Sequence, residues 1–257
     1  MAKSLRSLID TVLHRRVLRR WHMLADAADG LDSGTLRSLR HRGRQLRRHI
    51  DRLVHVAEGR LALPLIGSNA IQKPMNSDWA YRPELWRGPL TPPGQAAVAN
   101  KTMFGDGATI FHDCRVSELT LRQIRNTRES DLAPFGLRMD VFRFDGSFLS
   151  LALELPQDAA QSLRLKHLVR MDVVVDLEKP LEIFARLNIK HGPNVEQIVR
   201  ELPLMQQDVM VEFDLAYTKM NEKRVEKMWV DLIFEGPEMN QIILRDVTFS
   251  RRPRAEL

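Results

Sequence analysis

Val169-Arg170-Met171-Asp172-Val173-Val174-Val175-Asp176-Leu177 carries the most regular apolar spacing of the chain. Val169, Met171, Val173, Val175 and Leu177 fall at every second position. Successive side chains of an extended chain point to opposite faces, so this period of two predicts a half-buried β-strand. The same period recurs at Val209, Val211, Phe213, Leu215 and Tyr217, and at Ile183, Ala185, Leu187 and Ile189. Working outward, strands are expected over 108–112, 116–124, 137–144, 147–155, 168–177, 181–190, 208–217, 226–234 and 241–250. Turn signals separate them, among them Lys179-Pro180, His191-Gly192-Pro193-Asn194 and Glu235-Gly236-Pro237. Asp145-Gly146 is expected to join two alternating runs as a hairpin. Val195, Ile198, Val199 and Leu202 give residues 194–202 the spacing of one or two helical turns. Many short strands without intervening helices exclude a βαβ sheet and predict an antiparallel two-sheet sandwich of jelly-roll type over 104–257.

Upstream the period changes. Leu5, Leu8, Ile9, Val12, Val17, Trp21, Leu24 and Ala28 lie near one stripe of a helix over about 4–28. Asp29-Gly30-Leu31-Asp32-Ser33-Gly34 breaks it. A second helix follows from about Thr35 to Arg60, with Leu36, Leu39, Gly43, Leu46, Ile50, Leu53 and Ala57 alternating spacings of three and four. That is a heptad seam, in which Gly43 leaves room for a close partner. Residues 1–62 therefore read as a helical hairpin. Residues 63–103 read as a proline-rich lead-in, with Pro64, Pro74, Pro83, Pro89, Pro92 and Pro93, a density that opposes helix and central strand alike.

The 257 residues carry a net charge of +6, unevenly placed. Residues 1–60 hold 14 Lys and Arg against 6 Asp and Glu, so the rest of the chain is slightly acidic. The basic residues of that stretch are thirteen arginines and one lysine. Arg15, Arg16, Arg19, Arg40, Arg44, Arg47 and Arg48 are candidate anion-binding residues, because the planar guanidinium fork suits phosphate oxygens. A solvated outer helix face accounts for them equally well. A lone cysteine, Cys114, cannot pair within the chain and fits a reducing compartment. No apolar run is long enough to span a bilayer, and arginines stand where a signal peptide's apolar core would end. A cytoplasmic location is expected.

Chemistry is scarce. The chain has no Gly-rich phosphate loop, no Gly-x-Ser-x-Gly elbow and no histidine pair at metal spacing, so neither a cofactor, a metal nor a catalytic set is expected. His112 and Cys114 share a strand face, but a buried thiol is the commoner outcome of such a pair. Ser77-Asp78-Trp79-Ala80-Tyr81-Arg82-Pro83-Glu84-Leu85-Trp86-Arg87-Gly88 interleaves rings and arginines. Trp79, Tyr81, Arg82, Trp86 and Arg87 can form a ligand platform by stacking and cation–π contact, or a plug that anchors a sheet edge by its rings; the plug is the more frequent arrangement. On the strands, if the apolar set points inward, the outward set includes Trp229, Asp231, Arg186, Asn188, Glu212 and Asp214. An aromatic ring among carboxylate, amide and guanidinium groups is the vocabulary of sugar recognition. A solvated sheet face is the ordinary alternative. Two carboxylates such as Glu212 and Asp231 would hydrolyse a glycoside only if they converge.

The segment Ser77 to Arg87 and the stretch from Phe148-Leu149-Ser150-Leu151 through Asp231 resemble a family of uncharacterised alphaproteobacterial proteins known as a domain of unknown function. That resemblance implies no activity, cofactor or site. The C-terminal pattern Trp229-x-Asp231-x-x-Phe234, Asn240, Leu244-x-Asp246-Val247-x-Phe249-x-Arg251-Arg252-Pro253 resembles galactose-binding-like jelly rolls, which implies a last strand returning to the central sheet. The expectation is thus α+β in sequence order, a basic hairpin followed by an all-β sandwich. Its expected function is that of a non-enzymatic binding module. The sandwich recognises a glycan or protein surface, and the extension serves association or localisation. The alternative is nucleic-acid or anionic-lipid binding through the arginine-rich hairpin. The heptad seam also allows a homodimer.

Overall fold

The computed structural model describes residues 2–62 and 71–254, with the backbone alone at 2–11 and 58–62. The expectations for Leu5, Leu8, Ile9 and Pro64 lie outside the described side chains. The chain divides into two compact units, Met1–Val54 and His55–Leu257.

In the first unit, α1 (Ala2–Asp26) leads through a short turn at Ala28–Gly30 into α2 (Ser33–Ala62). The first amides of a helix have no partner inside it, and Asp32 supplies one. Its Oδ1 accepts from the backbone N–H of Gly34 at 2.9 Å and of Thr35 at 3.0 Å, and its Oδ2 from the Thr35 hydroxyl at 2.6 Å. The Thr35 hydroxyl, followed by its amide, holds the Asp32 carboxyl below its ordinary value. The indole of Trp21 lies against Gly43, with space for a methyl group at 3.7 Å. Much of the seam is nonetheless open to solvent: Leu46 is 39% exposed, Ile50 48% and Leu53 68%.

The second unit contains the sandwich. Its seven-stranded sheet runs β11 (Asp208–Asp214), β8 (His167–Leu177), β13 (Asn240–Pro253), β6 (Phe135–Val141), β5 (Leu119–Arg125) and β2 (Gly94–Gln95), with β1 (Trp79–Tyr81) also paired to β13. The six-stranded sheet runs β10 (Asn194–Glu201), β9 (Glu182–His191), β12 (Val225–Glu235), β7 (Leu149–Glu154), β4 (Ala108–His112) and β3 (Thr102–Met103). All the pairings are antiparallel. The period-two residues do what their spacing predicts. Met171 and Val173 from one sheet and Leu187, Val230 and Leu232 from the other are fully or almost fully buried in one core.

On β13 the buried apolar residues are Ile242 and Leu244, then Val247 and Phe249. The step of three between Leu244 and Val247 is absorbed by a bulge, where the register with β8 shifts between Leu244 and Asp246. β13 pairs with β6 through its first half and with β1 at Phe249 to Arg251, so β1 prolongs the lane that β6 leaves. Arg82 meets Asp246 in the gap between them, Nε to Oδ1 at 2.8 Å and Nη2 to Oδ2 at 2.7 Å. Burial pushes the Asp246 carboxyl up, and the Arg82 guanidinium opposes that. A short helix, α3 (Glu84–Arg87), then buries Leu85 and Trp86, whose indole N–H donates to the Leu244 carbonyl at 2.9 Å. The lead-in is thus stitched to the sheet by two- and three-residue strands and by rings.

Three expectations need correction. Asp145-Gly146 is not a hairpin: β6 and β7, on either side of it, belong to different sheets, and the segment crosses between them. It packs so closely on Asp113 and Cys114 that a side chain at Gly146 would collide with the Cys114 amide, 3.0 Å from where its Cβ would stand. Residues 194–202 are not helical turns but mainly the edge strand β10, joined to β9 by the tight turn Gly192-Pro193, in which Gly192 has φ +60°. Ile198 faces the core side while Val195 and Val199 face out, and their spacing imitates a helix. Finally, β11 stops at Asp214, whose carboxylate accepts from the Ala216 N–H at 3.0 Å and turns the chain, leaving Tyr217 largely exposed.

Candidate functional site

The outer face of the six-stranded sheet follows from its core. Since Val230 and Leu232 point inward, Trp229 and Asp231 point outward. The register sets Trp229 between Asn188 and Glu154, and Asp231 between Arg186 and Ala152. Asp231 Oδ2 accepts from Arg186 Nε at 3.0 Å, from Arg186 Nη2 at 2.8 Å and from Asn188 Nδ2 at 2.9 Å. Gln197 on the edge strand donates to Asn188 Oδ1 at 2.9 Å. Asp231 Oδ1 takes no hydrogen bond from the described residues, so one carboxylate oxygen is locked and the other is unclaimed. Trp229 is half-buried. Lys227 Nζ stands 5.9 Å from its ring centroid and is tethered to Glu154 at 2.7 Å. The next row holds Phe184, Ile233 and Phe111, half-buried, with Ser150 among them.

Four of the six sheet-face candidates, Trp229, Asp231, Arg186 and Asn188, are therefore neighbours. Glu212 and Asp214 are not: β11 pairs with β8 and carries them on the outer face of the other sheet, bound to Arg252 at 3.1 Å and Arg254 at 3.3 Å. Glu212 and Asp231 thus sit on separate sheets and cannot converge on one glycosidic bond. Gln197 and Glu154 join the site only through the register, which no local pattern encodes, whereas Lys227 shares the face of Trp229 by alternation along β12.

The outer face of the seven-stranded sheet bears a cavity of about 270 Å³ lined by Arg128, Arg170, Asp172, Asp208, Met210 and Thr248, with the Arg82–Asp246 pair at its margin. Its charges largely satisfy one another. Arg170 Nε holds both oxygens of Asp172 at 2.9 Å, and Arg128 reaches Asp176 and Gln207. The side chains of Asp208 and Thr248 make no hydrogen bond to the described residues.

Arg82 and Trp86 are buried, Trp79 stacks on Tyr81 with centroids 6.0 Å apart, and Arg87 lies 5.8 Å over the Tyr81 ring. Burial raises the Tyr81 phenol. Arg15, Arg16, Arg19, Arg40, Arg44, Arg47 and Arg48 are all exposed on α1 and α2. His112 Nδ1 accepts from the Cys114 N–H at 3.2 Å, which leaves Nε2 to donate to the Val98 carbonyl at 2.8 Å. Burial raises the Cys114 thiol.

A chain built this way is an antiparallel two-sheet sandwich preceded by helices. It belongs, over residues 1–257, to a family of unknown function, DUF6478. No curated protein matches it. Among solved structures it is similar to the enzymatically active domain of tailspike protein 4 of bacteriophage CBA120. The TM-score is 0.40 at 6% identity, covering 60% of this chain and 21% of that one. It is also similar to the family 11 carbohydrate-binding module of Clostridium thermocellum, with TM-score 0.37, 7% identity and coverage of 62% and 96%. A third is TmCBM61, solved with β-1,4-galactotriose, with TM-score 0.35, 13% identity and coverage of 62% and 99%. At these values the likeness concerns the fold and carries neither a ligand nor a site.

Proposed function

We propose that this chain is a non-enzymatic binding module whose six-stranded sheet recognises a glycan on its outer face. The observation that carries the reading is the half-buried Trp229 beside Asp231, whose Oδ2 is fixed by Arg186 and Asn188 while Oδ1 is unclaimed. An indole offers its face to the apolar side of a pyranose, and a carboxylate accepts strong charge-assisted bonds from hydroxyls. Because the polar groups already hold one another in place, little ordering cost remains for binding. Lys227 stands over the ring and is exposed enough to swing aside.

The row of Phe184, Ile233 and Phe111 beside this group favours a second reading, a protein partner seated on the same face. A glycan-array screen with the full chain separates the two. Trp229→Ala weakens a glycan hit by about 2 kcal/mol, or roughly thirty-fold, the scale of a buried aromatic anchor. A hit untouched by Trp229→Ala but lost in Thr248→Val or Asp208→Asn would move the site to the cavity of the other sheet. A blank array with folded protein would leave the protein surface.

A further inference from the structure

We infer that α2 is an interfacial helix that lies on an anionic lipid surface. By helical spacing Leu39, Leu46, Ile50 and Leu53 form one apolar stripe, and Ile50 and Leu53 are 48% and 68% exposed. A surface helix of a globular unit normally hides such a stripe. Here, among the described side chains, α1 meets α2 at Gly43 through Trp21 and leaves Val12, Leu13 and Leu18 more than half exposed. What covers the stripe is indicated by its borders. Arg40 and Arg47 flank it on one side, where Arg47 is paired with Asp51 at 3.2 Å, and Arg42 and His49 flank it on the other, so the borders are basic on balance. Further along, Val54 and Val56 widen the apolar face.

These borders decide between occupants. A second copy packed seam to seam would bring the two sets of basic residues against each other, where coiled coils place opposite charges. A nucleic acid would engage the arginines and find no use for exposed Ile50 and Leu53, since its backbone is read by charge. An anionic bilayer meets both features. The apolar stripe enters the headgroup boundary while the arginines, their stems along the apolar surface, reach the lipid phosphates. Among the described residues no helix is long and apolar enough to cross a membrane, which keeps α2 in the surface plane.

Co-sedimentation of the full chain with vesicles tests this. Binding is expected to vesicles of phosphatidylcholine doped with phosphatidylserine and not to phosphatidylcholine alone. Arg40→Gln and Arg42→Gln each reduce it about five-fold, the weight of one basic residue at an anionic surface. Ile50→Asp, at a half-exposed site where helix content by circular dichroism should persist, reduces it about ten-fold or more. Several outcomes would overturn the inference: no vesicle binding, equal binding to both vesicle types, or binding indifferent to Ile50→Asp. So would salt-dependent binding to duplex DNA, with no vesicle binding, that survives Ile50→Asp, or a dimer in light scattering that Ile50→Asp dissociates.

Discussion

In the sandwich, Met171, Leu187, Leu232 and Phe249 are shut away from water, whereas in the hairpin Leu46, Ile50 and Leu53, at positions just as regular, stand in it. Both regions repeat apolar residues with the period of their own secondary structure. In the sandwich the repeat meets another repeat, because two sheets each present one apolar face and the faces close on each other. In the hairpin, Leu46, Ile50 and Leu53 of α2 keep 39%, 48% and 68% of their surface exposed. Periodicity specifies that an apolar face exists; only the tertiary partner determines whether that face is core or contact surface.

The largest expected effects probe this difference in stability. Phe234→Ala, in the sealed core, should cost about 3–5 kcal/mol in denaturant unfolding, and Ile50→Ala less than about 1 kcal/mol, since little of that side chain leaves water. Equal losses would break the comparison. Next comes Arg82→Met, which strands the buried Asp246 carboxylate between β1 and β6. A loss of about 3–5 kcal/mol is expected at neutral pH in denaturant unfolding of the sandwich.

A smaller effect is expected with pH. His167 is buried at the start of β8, and burial, helped by Arg251, lowers its pKa. A base with a lowered folded pKa contributes stability in full above its ordinary 6.5 and loses it as pH falls through the folded value. Unfolding measured from pH 7 downward should therefore steepen in the native chain and flatten in His167→Gln. The smallest change is Gly43→Ala. The methyl finds ordinary contact with Trp21 and removes a flexible residue from a helix interior, so α2 should gain about 0.5–1 kcal/mol in thermal melts followed by helix ellipticity.

Much of the architecture was legible in the chain because period two is a local property. The strand at 108–112 and the long strands β8, β9 and β12 fall within a residue or so of their expected bounds. What was not legible is what depends on distant partners. Asp145-Gly146 has the residues of a hairpin, yet the strands it links find their neighbours in different sheets. β10 reads as helix because an exposed edge strand is free to carry apolar residues on its outer side. The candidate site divides for the same reason: alternation says that Glu212 and Trp229 both point away from the core, but not that there are two outer faces. The Trp229, Asp231, Arg186 and Asn188 cluster was half visible, as residue types without a register, and Gln197 and Glu154 became members only once the strands were paired.

The measurement that bears most directly on the central claim is a glycan-array screen of the full chain beside Trp229→Ala, with unfolding curves for both. A specific hit is expected in the native chain, lost in Trp229→Ala, with the two proteins unfolding within about 1 kcal/mol of each other, since the half-buried ring lies outside the core. A hit of unchanged strength in Trp229→Ala would contradict it, because the ring and its fixed carboxylate would then have no part in recognition.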